Sequence, residues 1–167
     1  MRYASLLALI ATLLFAAGCA TVADPVADDA PAPPPSETAA EVRARAVQTA
    51  VRTAFGLEAS LFENPEAIAS HGEVVTHFRH GFVDALAQDF ADYYWQRDRV
   101  QTGPPTLLVP ASVTVLRSTE RTAAAFFETP AALRATWDLP RYTLVQMRRE
   151  GDRWLVASTS QQERRPS

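Results

Sequence analysis

Three side chains that can bind a metal ion recur at helical spacing in the middle of the chain. His77, His80 and Asp84 follow one another at intervals of three and four residues, which would place them on one face of a helix. That face lies opposite the apolar stripe expected for the same helix, so a solvated surface with weak side-chain pairs explains the pattern better than a metal site. We therefore expect these residues to hold no metal, and we expect no other cofactor.

Two carboxylates of the same region are candidates for general-base catalysis. Asp89 and Arg79 project towards the margins of the apolar arc, where a charged group is costly to bury without a partner. A partly buried ion pair, with each other or with other charges, is the favoured interpretation. In the alternative, Asp89 or Asp92 lines the mouth of a cavity and removes a proton from a substrate.

An aromatic-rich segment follows these acids. Tyr93, Tyr94 and Trp95 are consecutive, and Trp137 and Trp154 complete the set. Because aromatic side chains bury large areas, the favoured interpretation is that they fill the core. Exposed Tyr and Trp residues also anchor ligands and protein partners. The ligand or interface candidates are therefore Arg79, Asp89, Tyr93, Tyr94, Trp95 and Trp137.

The composition excludes several large enzyme classes. All 16 basic residues are arginine, so there is no lysine to form a Schiff base or to bind a nucleotide phosphate. The six glycines are scattered and form neither a G-x-G nor a G-x-S-x-G motif. The net charge of −3 predicts no general affinity for nucleic acid.

Helices come first along the chain and strands follow. Val47, Val51 and Phe55 belong to an apolar stripe of helical period, and Gly56 is expected to end or kink that helix. A second, continuous helix is predicted over residues 73–95. Strands are predicted from alternation and apolar content over residues 107–115, 122–129, 142–149 and 153–160.

The last two strands flank Glu150-Gly151-Asp152, which is a strong signal for a β-hairpin. Segregated helices and strands predict an α+β fold in which N-terminal helices pack on a curved, mostly antiparallel sheet that ends in this hairpin. The single domain should cover residues 39–162, and residues 163–167 form a polar tail.

The terminal hairpin resembles that of the nuclear transport factor 2-like superfamily, in which a "G-x-x-W-x-V" strand is common. Here Gly151, Trp154 and Val156 occupy the three positions. The resemblance implies a cone of helices against a curved sheet. Its members include steroid isomerases, polyketide cyclases, transport adaptors and binding modules, so the fold alone assigns no function. In the enzymes an Asp and aromatic residues act inside the cone, but none of them maps onto this chain residue by residue.

The N-terminal segment has the three parts of a secretory signal over residues 1–18. Arg2 precedes an apolar run of 14 residues, 4–17, and small residues directly precede Cys19. The run is shorter than the ~20 residues that a membrane-spanning helix needs. Ala17-Gly18-Cys19 resembles the lipobox of bacterial lipoproteins, which implies cleavage before Cys19 and acylation of its thiol and new amino group. The alternative is ordinary secretion with Cys19 as a free thiol.

An Ala- and Pro-rich linker, residues 19–38, would join the acylated Cys19 to the domain as a semi-rigid stalk. In Gram-negative lipoproteins an Asp after the cysteine implies retention in the inner membrane. Ala20 stands there instead, which favours the outer membrane and a position facing the periplasm.

The sequence therefore favours a lipid-anchored extracytoplasmic lipoprotein whose α+β domain is not an enzyme and binds a protein of the cell envelope or a small apolar ligand. Its first partner is the lipid bilayer, through Cys19. The alternative is an isomerase- or cyclase-like enzyme that uses Asp89 or Asp92 as general base.

Replacing Cys19 by Ala should leave the domain folded and release or misprocess the protein, because the linker separates Cys19 from every predicted core position. Membrane fractionation of cells that express the wild-type chain and the variant measures this effect. A variant that stays tightly membrane-bound as a cleaved species would show that lipidation is not the anchor.

Overall fold

A computed structural model describes residues 36–63, 70–96 and 107–167. The predicted signal, Cys19 and the linker as far as residue 35 lie outside the described residues. The described part is an α+β domain, as predicted, with three helices first and an antiparallel hairpin last. The elements in chain order are α1 Ala39–Glu63, α2 His71–Phe78, α3 Asp84–Gln96, β1 Thr114–Ser118, β2 Thr122–Glu128, α4 Ala131–Trp137, β3 Tyr142–Glu150 and β4 Arg153–Gln162.

Helix α1 begins with a reciprocal cap. The Thr38 N–H donates to the Glu41 carboxylate at 2.7 Å, and the Glu41 N–H donates to the Thr38 hydroxyl at 3.3 Å. The hydrogen bond from the Thr38 backbone, followed by that from its hydroxyl, lowers the pKa of Glu41. The apolar stripe lies against the sheet, with Val47 and Val51 fully buried. The cap and the stripe together fix where α1 starts and which face it buries.

Helix α1 continues through Gly56 to Glu63, so the predicted end at Gly56 is wrong. A glycine inside a helix costs only about 1 kcal/mol relative to alanine, and packing on both sides offsets that cost. Phe55 is buried before Gly56, and Leu61 and Phe62 pack against the core after it. The apolar stripe therefore extends beyond the residue that was expected to interrupt it.

The predicted single helix over residues 73–95 is also wrong, because the chain breaks between α2 and α3. The connection pairs with strand β4 instead of continuing the helix. The Val156 N–H donates to the Gly81 carbonyl at 2.8 Å, and the Val83 N–H donates to the Val156 carbonyl at 3.0 Å. The Arg153 guanidinium donates to the carbonyls of Arg79 and His80, both at 2.9 Å, at the end of α2. Groups that a continuous helix would have satisfied internally find partners on the sheet.

Gly81 lies at the point where this connection crosses α1. A Cβ added to Gly81 would lie 2.5 Å from the Cα of Ala54, which is closer than side-chain atoms approach a backbone. The two backbones are so close that only glycine fits at position 81. On the α1 side, the small side chain of Ala54 leaves room for the same contact.

The sheet has the order β1-β2-β3-β4, and all neighbouring pairs are antiparallel. The predicted hairpin is confirmed: Glu150 pairs with Arg153, and Gly151 adopts a positive φ of 64° in the turn. The strand predicted from residue 107 begins only at Thr114, although Leu107 before it is buried. Helix α4, between β2 and β3, was not predicted.

One core cluster joins α1, α2, α3 and the inner side of the sheet. Phe78 and Phe82 are fully buried at its centre, and Trp154 of the hairpin, predicted as a core residue, is 8% exposed. None of the helices described is both long enough and apolar enough to cross a membrane.

Gly81→Ala should lower the free energy of unfolding by about 1–3 kcal/mol, because the added methyl group meets the backbone of Ala54. Gly56→Ala is the matched control. Apart from the adjoining backbone of α1, no atom lies within 4 Å of its added Cβ, so the substitution should stabilise α1 by up to about 1 kcal/mol. Urea denaturation of both variants measures the difference. Equal stability of the two variants would contradict the close approach.

Candidate functional site

The most enclosed of the concave sites identified among the described residues is a cavity of about 150 Å³ between the helices and one end of the sheet. Its inner part is apolar and aromatic, and its outer part carries hydroxyl and amide groups. No carboxylate or basic side chain lines it among the described residues. The lining residues are Phe55, Phe90, Leu107, Leu108, Phe127, Thr129, Leu139, Pro140, Thr143, Thr159 and Gln161.

Two phenylalanines from opposite layers form the inner wall of the cavity. Phe55 of α1 and Phe127 of β2 are buried and meet edge to face, with ring centroids 4.9 Å apart. Phe55 follows Val51 by four residues and so continues the buried stripe of α1. Phe127 faces the helices, whereas its neighbour Phe126 packs against Tyr142. This edge-to-face pair makes the inner wall both apolar and fixed in geometry.

The buried Thr129 is a structural part of the wall. Its hydroxyl donates to the Pro140 carbonyl at 2.7 Å, and its N–H donates to the Arg141 carbonyl at 2.8 Å. The Thr129 carbonyl in turn accepts from the Arg134 side chain at 3.2 Å. Because these contacts use its polar groups, Thr129 holds the segment at Pro140 in place. The polar groups at the rim are those of Thr143, Thr159 and Gln161.

An ion pair supports the same wall from outside. The Arg141 guanidinium donates to Glu128 at 2.9 Å, and this hydrogen bond, then the charge of Glu128, raises the pKa of Arg141. Arg134 of α4 lies 3.8 Å from the same carboxylate. These groups are solvent-accessible, so the pairs orient the connection around α4 and contribute little to stability.

A buried carboxylate joins three parts of the chain beside the cavity. Glu58 of α1 is 2% exposed. It accepts hydrogen bonds from the Tyr94 hydroxyl of α3 and from the Leu107 N–H. Because Leu107 lines the cavity, Glu58 fixes the position of that wall. Donors at the carboxylate offset the high cost of burying it.

The sequence interpretation missed Glu58, although the signal was present. Glu58 lies three residues after Phe55 and four after Ala54, so it continues the buried stripe of α1. An acid in line with a helical apolar stripe indicates a buried carboxylate with a specific partner.

The two acids considered as general bases lie on α3, and neither lines the cavity. Asp89 is exposed. Asp92 is also exposed, and its carboxylate lies 2.7 Å from the His71 ring and 3.4 Å from the Gln88 amide. The contact with His71 connects α3 to the first residue of α2.

The other interface candidates are divided between core and surface. Arg79 pairs with Asp84 at 3.0 Å, and both side chains are at least half exposed. Tyr94 is buried and stacks on Phe78 with a centroid distance of 5.5 Å, so it belongs to the core. The exposed aromatic residues, at 41–44%, are Tyr93, Trp95 and Trp137.

The three residues considered as metal ligands are not brought together. The His77 ring nitrogen lies 2.9 Å from the Leu57 carbonyl and 3.1 Å from the Ser60 hydroxyl. Asp84 is used by Arg79, and His80 lies beyond the end of α2. Within the three described stretches, no group of three or more His, Cys, Asp or Glu side chains is arranged to hold a metal ion.

Comparison of the chain with protein-family models, with curated proteins and with solved structures gives no match. The likeness to the nuclear transport factor 2-like superfamily therefore stays a prediction from the terminal hairpin and the order of elements.

Tyr94→Phe should lower the free energy of unfolding by about 1.5–3 kcal/mol, because it removes a donor from the buried Glu58 carboxylate. Tyr93→Phe is the matched control on the same helix. It alters a residue that is 41% exposed and should change stability by no more than about 0.5 kcal/mol. Chemical denaturation compares the two, and equal effects would mean that the Glu58–Tyr94 contact contributes nothing specific.

Proposed function

We propose that the chain is a lipid-anchored extracytoplasmic protein whose domain is a non-catalytic binding module. In this proposal Cys19 carries the acyl chains, and the domain faces the periplasm from the outer membrane. The cavity between α1 and the sheet receives an apolar group from a small ligand or from a protein partner. The observation that carries the binding role is the aromatic cavity with no described carboxylate in its wall.

The proposal for the anchor is supported by the sequence alone. A charged start, a short apolar run and Ala17-Gly18-Cys19 occur in the order that a lipoprotein signal requires. Cys19 is also the only cysteine of the chain, and acylation gives it a function in an oxidising compartment. More than one acyl chain is needed for stable anchoring, which the lipobox resemblance supplies.

The size of the cavity limits what it can bind. A volume of about 150 Å³ is below the range of roughly 300–1,000 Å³ that is typical of sites for drug-sized ligands. Engineered apolar cavities of about this volume bind benzene or xenon. The cavity therefore fits one aromatic ring or a short branched chain. Hydroxyl groups of Thr143 and Thr159 at the rim can then bind a polar end of the same ligand.

Enzymatic activity with Asp89 or Asp92 as base is the second possibility, and the geometry supports it less. A general base has to lie within hydrogen-bonding distance of the proton that it removes, directly or through one water. Asp89 and Asp92 are exposed on α3 and do not line the cavity. A substrate held among Phe55 and Phe127 would not meet either carboxylate.

Fluorobenzene is a suitable probe because it has the size of the cavity and a fluorine signal that reports binding by NMR. The chain from residue 19 onward, with Cys19→Ser, retains the core residues described and lacks the predicted signal and lipidation site. Thr159→Phe adds a ring at the rim and should weaken binding at least about tenfold, since the ring occupies the entrance. Ser160→Phe is the matched control, because the next residue of β4 points to the other face of the sheet.

Binding that is equal in the wild-type chain, Thr159→Phe and Ser160→Phe would contradict the cavity as the site. Loss of turnover of a ketone-bearing or polyketide-like substrate in Asp89→Asn, with stability and probe binding unchanged, would favour the catalytic alternative. We expect Asp89→Asn to bind the probe like the wild-type chain, because Asp89 is exposed and is not among the residues that line the cavity.

A further inference from the structure

A second concave surface lies where the start of α1 meets the β1–β2 and β3–β4 turns. It is an open groove of about 930 Å³. Unlike the apolar cavity, it is dominated by charged side chains. We call it the arginine groove, and its lining residues are Glu37, Ala39, Val42, Arg43, Glu120, Arg121, Arg149 and Gly151.

Three guanidinium groups in the arginine groove have no acidic partner. Arg43, Arg121 and Arg149 form no ion pair within 4 Å with any residue in the described ranges. Other arginines nearby differ, since Arg148 pairs with Glu150 and Arg45 pairs with Glu37. All three arginines that line the groove are therefore unpaired, as are some exposed arginines elsewhere on the described surface.

Arg43 carries the clearest sign of a missing acceptor. Its Nε is inaccessible to solvent and has no hydrogen-bond partner among the described residues. A buried donor without an acceptor is uncommon in folded proteins, because it loses its hydrogen bonds to water and gains none. A ligand oxygen would supply the acceptor once the Arg43 side chain turns so that its Nε faces the groove.

The acids of the arginine groove do not balance its arginines. Glu37 is engaged by Arg45, which lies outside the groove. Glu120 is the other acid in the lining. Three guanidinium groups therefore face one carboxylate that has no partner, which leaves an excess of two positive charges for a ligand to neutralise.

Backbone hydrogen bonds hold two of the arginines next to each other. The N–H of Arg149, in β3, donates to the carbonyl of Arg121, in the β1–β2 turn, at 2.8 Å. The β1–β2 turn is closed by the Thr119 N–H, which donates to the Thr122 carbonyl at 2.8 Å. Gly151 has no side chain, and no atom lies within 4 Å of the position of a Cβ there, so the bottom of the groove stays open.

We propose that the arginine groove binds a phosphate group, with Arg43, Arg121 and Arg149 as its ligands. A phosphomonoester carries about −1.5 to −2 charges at neutral pH, which matches the excess charge of the groove. The planar guanidinium presents pairs of donors that fit two oxygens of one phosphate. A carboxylate carries half that charge and would leave one guanidinium without a counter-charge. This site is separate from the apolar cavity and does not depend on the proposed function of that cavity.

The phosphate can belong to a soluble molecule or to a lipid headgroup, and two probes distinguish these sources. Inorganic phosphate is titrated into the chain from residue 19 onward, with Cys19→Ser, at roughly 0.15 M ionic strength, and calorimetry measures the affinity. Co-sedimentation is measured with vesicles of phosphatidylcholine alone and of equimolar phosphatidylcholine and phosphatidic acid. A soluble ligand predicts binding to inorganic phosphate without co-sedimentation, and a headgroup predicts co-sedimentation only with phosphatidic acid.

The arginine variants test the site itself. Arg43→Gln, Arg121→Gln and Arg149→Gln should each weaken binding about tenfold, because each removes a hydrogen bond between charged groups. The combined variant should abolish measurable binding. A matched control replaces Arg52, Arg117 and Arg164, which are exposed and lie outside the groove, and removes the same number of charges. This control should bind within about twofold of the wild-type chain, since an exposed charge at a distance is screened.

Two results would overturn the proposal. One is the absence of binding to both probes while the circular dichroism spectrum shows a folded chain. The other is an equal loss of affinity in the groove variant and in the matched control, which would mean that only the net charge matters. Since single Gln variants at the exposed Arg121 and Arg149 leave the core unchanged, loss of folding does not obscure the outcome.

Discussion

The pairing of the α2–α3 connection with strand β4 is the constraint on which the rest of the domain depends. The Val156 N–H donates to the Gly81 carbonyl, and the Val156 carbonyl accepts from the Val83 N–H. This bridge ends α2 and sets the direction of α3. Only a glycine permits the connection to pass Ala54 of α1 at the same point. Once α3 has this direction, Tyr94 at its far end reaches the Glu58 carboxylate. A backbone contact at one end of α3 thus determines a buried side-chain contact at the other.

The parts of the fold that the sequence predicted correctly depend on local interactions. The β3–β4 hairpin follows from the alternation on both sides of Gly151, and β2 follows from a compact apolar run. Each of these signals lies within a few residues of the structure that it determines, so a pattern in the chain is sufficient to locate it.

The errors arise where partners are distant in sequence. The break between α2 and α3 depends on Val156, more than seventy residues further along the chain, and the apolar periodicity of residues 73–95 continues across it. The candidate site shows the same limit. The order of elements predicts helices packed on the sheet, but not that Glu58 joins them, since Tyr94 and Leu107 are brought to that carboxylate only by the tertiary fold.

The apolar cavity and the arginine groove lie at opposite ends of the same two elements. Thr143 and Arg149 are separated by six residues of β3, which corresponds to roughly 20 Å along a strand. Phe55 and Arg43 are separated by twelve residues of α1, which corresponds to roughly 18 Å along a helix. The two lengths are similar, and α1 packs against the sheet through β1, β2 and β4. Sites this far apart, with no shared residue, have independent energies, since coupling between substitutions falls away beyond about 7–10 Å. One domain can therefore bind an apolar group at one end and an anion at the other, and the affinity of each site can change without a change in the other.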